Sequence, residues 1–213
     1  MGPKKTLKNY VGTWKMIKKV MLIVTEGETD EEFYKKLLEH IRTKMHLNKF
    51  PFDKINFVCA RGIGNMQQKI VNVIERRLFS SEDMIDAEKT VILCYDYDVF
   101  EHGQHPPIDR QKLEDDIKKL GDCKIIKIVA NSMIEDFFLH DFENIRKFLR
   151  LKKNYQLKGT GYEGLRKMFK DANRTYFKGE RVSGFIDKLD MELIVSKISS
   201  DIKEMCEILG YNM

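Results

Sequence analysis

TVILCYDYD, residues 90–98, is the stretch on which the fold of this chain turns. Val91 to Tyr95 form a short apolar, β-rich run of the kind that is buried on both faces of a sheet. The run stops at two carboxylates, Asp96 and Asp98. Side chains at i and i+2 of an extended segment share a side, so both acids face one way where the strand enters its loop. In an open parallel α/β sheet, ligands bind at the carboxyl ends of the strands. Paired carboxylates there suit a hard divalent cation. The plainer reading is a polar strand exit, with Asp98 capping the next turn.

Three further strand runs frame this one. Val20 to Thr25 is followed by Glu26, Gly27, Glu28, Thr29 and Asp30, and then by apolar residues at helical spacing from Phe33 to Ile41. Thr29 is the expected N-cap, with Glu32 as its capping-box partner. Ile55 to Ala60 ends in Arg61-Gly62-Ile63-Gly64-Asn65, a glycine-rich turn into a helix that runs to Leu78. The turn lacks the Lys and Ser/Thr of a phosphate-binding loop, so it reads first as a structural turn. Ile108 to Leu120 is an expected helix, ended by Gly121. Lys124 to Ala130 is the fourth strand. Asn131 or Ser132 would cap the aromatic-rich helix that follows, from Glu135 through Phe148.

Every connection is long enough for a crossover helix, which predicts a mainly parallel four-stranded α/β sheet with helices on both faces. In the order 2-1-3-4, Glu26, Asp96, Asp98 and Glu135 converge at one edge of the sheet. Acids crowded together repel unless something positive lies between them, and a bound metal ion is one answer. The loop after Asp98 adds Glu101 as a further candidate ligand, with His102 and His105 as weaker ones.

Composition bounds the function classes. With 42% hydrophobic and 33% charged residues, the 213-residue chain reads as a globular domain with a charge-rich surface, and no apolar run reaches membrane-spanning length. A cytoplasmic location and no membrane partner are the expectations. The four cysteines form no CxxC pair, so neither a zinc site nor disulfides are expected. Charge is segregated. Residues 1–20 hold six Lys and no acid, and residues 144–183 hold twelve Lys or Arg against three acids. Basic flanks around an acidic centre suit a polyanion held beside a metal. Lys152, Lys153, Lys158, Arg166, Arg174 and Lys178 are the candidate contacts to nucleic acid. Trp14, the only tryptophan, reads as an anchor for the basic arm.

Glu26 with Asp30 after the first strand, a glycine turn after the second and Asp96-Tyr97-Asp98 after the third together resemble the Toprim domain of topoisomerases, primases and the OLD family of nucleases. The wording of VTEGETDEEFY and NSMIEDFFLHDF is similar to stand-alone Toprim proteins of restriction and phage defence, the RloB-like proteins among them. The resemblance spans about residues 20–135. It implies a Rossmann-like Toprim fold and a nuclease dependent on Mg2+ or Mn2+. It implies Glu26 as general acid/base, Asp96 and Asp98 as metal ligands, and Asp30 as a further metal-site acid. The third Asp that often follows the pair is absent, and Glu101 is the nearest acid.

The expected organisation is a basic arm over residues 1–19, the Toprim domain over 20–150, and a helical, basic C-terminal extension over 151–213 packed on it. The leading functional expectation is cleavage of phosphodiester bonds in RNA or DNA, as an effector in anti-phage defence. The rival is a non-catalytic Toprim module that binds nucleic acid or a partner under the control of an ATPase. No nucleotide-binding motif is present in the chain itself, so an ATPase would be a separate partner. A homo-oligomer is left open.

Overall fold

The computed structural model describes residues 17–62, 65–96, 109–130, 133–178, 180–182 and 184–211. Four strands, β1 (Lys19–Thr25), β2 (Lys54–Cys59), β3 (Glu88–Asp96) and β4 (Lys124–Ala130), form one sheet in the order β2-β1-β3-β4. All three pairings are parallel. The chain is therefore an α/β protein with a Rossmann-like parallel sheet, as the spacing of apolar runs predicts.

The two central strands show why. Met21 and Ile23 of β1, with Ile92 and Cys94 of β3, enter one core. Val20, Leu22 and Val24, with Val91, Leu93 and Tyr95, enter the other. A strand whose alternate residues all need cover cannot face water on either side, so helices pack on both. The first face is covered by α1 (Glu28–Lys44), and the second by α2 (Met66–Ile74) and α3 (Arg110–Leu120). The edge strand β2 is only half-buried along most of its length. An edge position receives less cover than the central strands do.

Several helix boundaries differ from expectation. α1 begins at Glu28, one residue before the expected Thr29 cap, with Gly27 in the cap position. Gly27 has no side chain to cap with. Instead its N–H donates to Asp30 Oδ2 at 2.8 Å, so Asp30 rather than Glu32 is the acid that reaches back. Beyond Ile74 the helix widens into a π-helical turn at Glu75–Phe79. The expected aromatic helix is two, α4 (Ile134–Leu139) and α5 (Phe142–Phe148). Asp141 breaks it. Its carboxylate accepts from Asn144 N at 3.4 Å and Asn144 Nδ2 at 2.9 Å, and takes a third bond from Asp190 N at 2.6 Å. The cap position of α4 is Met133, whose N–H donates to Asp136 Oδ2 at 3.2 Å. Asn131 and Ser132, the expected caps, lie outside the described residues.

The C-terminal third consists of α6 (Gly161–Asp171), α7 (Met191–Lys197) and α8 (Ser199–Leu209). The single closing helix expected from the apolar spacing is thus divided between α7 and α8. These helices share the core of α1: Leu165, Phe169, Tyr176, Phe185, Ile194 and Ile202 belong to the same buried cluster as Met21 and Phe33. Phe185 meets Phe138 and Phe169 edge-on, at 5.7 Å and 5.6 Å between centroids. Each such pair adds about 0.5–1.5 kcal/mol beyond area burial. This aromatic knot fixes the segment that carries Tyr176 and Lys178. No helix among the described residues is long and apolar enough to cross a membrane.

Candidate functional site

The turn after β2 clamps the end of β1. Ala60 N donates to Thr25 O at 2.8 Å, and Gly62 N donates to Glu26 O at 3.0 Å. Arg61 and Gly62 both take left-handed backbone, with φ of 56° and 105°. Glycine accepts that geometry without strain, and Arg61 is held in it by Asn65 Nδ2, which donates to its carbonyl at 2.9 Å. The Gly62 N–H is committed to Glu26, so the glycine turn serves the placing of Glu26. Glu26 and Asp30 then line one cleft of about 380 Å³ together with Cys59, Arg61, Lys178 and Glu180.

Asp96, the last residue of β3, is 4% exposed. Its Oδ1 accepts the Ile134 N–H at 2.8 Å, and its Oδ2 lies 2.8 Å from Lys178 Nζ. The first bond ties the end of β3 to the start of α4 beyond β4, and the second brings in the C-terminal third. Glu135, next along α4, is fully buried and accepts from the Tyr176 hydroxyl at 3.0 Å through Oε1. Its Oε2 is buried with no hydrogen-bond partner among the described residues. Asp136 holds this helix start in place. Its Oδ1 accepts Gly161 N at 2.7 Å, while Oδ2 accepts Met133 N.

Crowding and burial show in the acidities. Burial first, and then the Asp96 charge, push Asp30 up to about 6 and Glu135 up to about 7. Lys178 works against both shifts. Burial, followed by Glu135, drives the Tyr176 hydroxyl far above its ordinary range, so it stays a donor. One ammonium, that of Lys178, thus acts on three carboxylates, Asp30, Asp96 and Glu135.

Of the residues singled out from the sequence, Glu26, Asp30, Asp96, Glu135 and Lys178 come together here. Asp98 and Glu101, with His102, His105 and Trp14, lie outside the described residues. Among the basic candidates, Lys152, Lys153 and Lys158 are exposed. Arg166 pairs with Glu163 at 3.7 Å, and Arg174 lies over the Phe148 ring at 5.1 Å. Sequence reasoning missed Tyr176, Asp136 and Gly161. Their signal was an aromatic inside a cationic run and a glycine with no obvious turn, which spacing alone does not distinguish from ordinary core and loop.

Among the described residues no group of three His, Cys, Asp or Glu stands ready as a metal cage. The carboxylates named above are oxygen donors, the ligand type a hard cation takes. One of these oxygens, Glu135 Oε2, is buried without a hydrogen-bond partner among the described residues. Against protein-family models, curated proteins and solved structures, the chain finds no match.

Proposed function

We propose that this chain is a Toprim-type nuclease that cleaves phosphodiester bonds of RNA or DNA with Mg2+ or Mn2+, as an effector of anti-phage defence. One observation carries the reading. Carboxylates from the ends of β1, β3 and β4 meet around a single lysine, at the edge of the sheet where α/β proteins bind ligands.

Asp96, Asp98, Asp30 and Glu135 would hold the metal ion. When bound, such an ion neutralises the scissile phosphate and lowers the pKa of water. Glu26, on the cleft wall, would exchange a proton with the attacking water or the leaving oxygen. Lys178 would keep the acids together before the substrate arrives, and then offer its ammonium to a phosphate oxygen. Burial of Asp96 and Glu135 excludes bulk water from the carboxylate floor, which strengthens every charge interaction there.

The test is cleavage of DNA, total RNA and tRNA with and without divalent ion, by the wild type and by Glu26→Gln. General acid–base catalysis contributes about 10²–10⁴-fold. Cleavage should fall by that order, while binding persists through the basic surface. Full cleavage by Glu26→Gln removes Glu26 from the chemistry. Tight binding with no cleavage, with or without an ATPase partner, makes the chain a non-catalytic binding module.

A further inference from the structure

Phe177 is 55% exposed, although the residues on both sides of it are fixed to the acidic cluster. The Tyr176 hydroxyl holds Glu135 at 3.0 Å, and Lys178 Nζ holds Asp96 at 2.8 Å. With its neighbours turned inward, the ring between them is left facing out. The segment is also tied down beyond this point. Glu180 N donates to Phe177 O at 3.2 Å, Thr29 Oγ1 donates to Glu180 O, and Arg181 Nε pairs with Glu32 at 3.2 Å. The ring is therefore presented from a rigid base.

A single exposed apolar side chain is ordinary on a protein surface. Three features set this one apart. It is the one aromatic among the exposed large apolar residues described, its backbone is anchored on both sides, and its chain neighbour lines the acidic cleft. Arg61 and Lys178 line that cleft among the carboxylates Glu26, Glu28, Asp30 and Glu180. Phe177 and Lys178 are adjacent in the chain, and an aromatic face for a base next to a cation for the backbone phosphate is the pairing by which proteins grip single strands.

Resting on the nuclease reading and extending it to the substrate class, we infer that Phe177 is a stacking platform for an unpaired nucleobase, so that the site takes single-stranded nucleic acid. A base inside a duplex has both faces covered by its neighbours and cannot use this ring. Stacking does not distinguish ribose from deoxyribose, so both strands belong in the test.

The experiment is fluorescence anisotropy with labelled single-stranded DNA, single-stranded RNA and duplex DNA, in Ca2+ so that binding is read apart from cleavage. Proteins compared are the wild type, Phe177→Ala, Phe177→Tyr and, as an exposed apolar control elsewhere, Leu157→Ala. One stacked base is worth roughly 5–150-fold in affinity. Phe177→Ala should weaken single-strand binding by that order and leave duplex binding unchanged. Phe177→Tyr should retain it, and Leu157→Ala should behave as wild type. The DNA and RNA arms show which strand uses the platform. Equal single-strand affinity in Phe177→Ala, equal losses for single strand and duplex, or a wild type that binds no single strand each overturns the inference. The two readings fail separately. Selective loss of single-strand binding in a protein that never cleaves in Mg2+ overturns only the nuclease. Cleavage with unchanged Phe177→Ala affinity overturns only the platform.

Discussion

Lys178 Nζ lies 2.8 Å from Asp96 Oδ2, an ion pair between the C-terminal third of the chain and the end of the central strand. Asp96 is almost fully buried, whereas the lysine side chain is 32% exposed. The pair therefore has one end in the protein interior and the other within reach of solvent and ligand.

Lys178→Met should raise the titration midpoints of both Asp30 and Glu135, because Lys178 lowers each of them. Carboxyl-carbon NMR reads both midpoints directly. Stability near neutral pH should drop by about 1–3 kcal/mol, the cost of leaving a buried acceptor without its partner. Unchanged midpoints would mean that the lysine does not serve the cluster in solution.

Glu135 gives the protein an inverted pH dependence. Its folded value of about 7 lies above the ordinary 4.5. Between these values the folded protein keeps a proton that the unfolded chain has released. Stability then falls as pH rises through that window, and the deficit is complete above about 7. Asp30 acts in the same direction between 3.8 and about 6. Without divalent ions, Tm should be higher near the bottom of this window than above it. Glu135→Gln should flatten the upper part of the slope and stabilise the protein above neutrality by on the order of 2 kcal/mol. A Tm that climbs across this range in the wild type would contradict a raised Glu135.

Tyr176→Phe removes the hydroxyl that favours the charged form of Glu135. The Glu135 midpoint should move further up. A lost buried hydrogen bond typically costs about 0.5–1.5 kcal/mol, which urea unfolding would resolve. A midpoint that stays in place would separate the tyrosine from the acid.

Gly164 sets two effects against each other. Within α6 an alanine would gain up to about 1 kcal/mol in helix propensity. Its Cβ, however, would stand 2.9 Å from the Gly159 carbonyl oxygen and 3.0 Å from its carbon. Backbone cannot swing aside as a side chain does, and overpacking costs about 1–3 kcal/mol. Gly164→Ala should therefore lower Tm. A rise would show that the loop before α6 yields freely.

The sequence alone determined the α/β class, the parallel order of the strands and the placing of Glu26 and Asp96 at strand ends. These follow from local facts: apolar runs too continuous for a half-exposed sheet, and crossovers too long for hairpins. Asp30 and Glu135 were legible as acids just past strands, but their burial and raised acidity were not. Only the tertiary structure decided which cation meets them. Six basic residues of the C-terminal third looked alike in sequence, and Lys178 was distinguished by an aromatic knot around Phe185 that carries its segment back to β3. Tyr176, Asp136 and Gly161 acquired their roles in the same way. Packing between distant segments has no periodicity to read along the chain, because the chain records each partner separately and only the closed core brings them together.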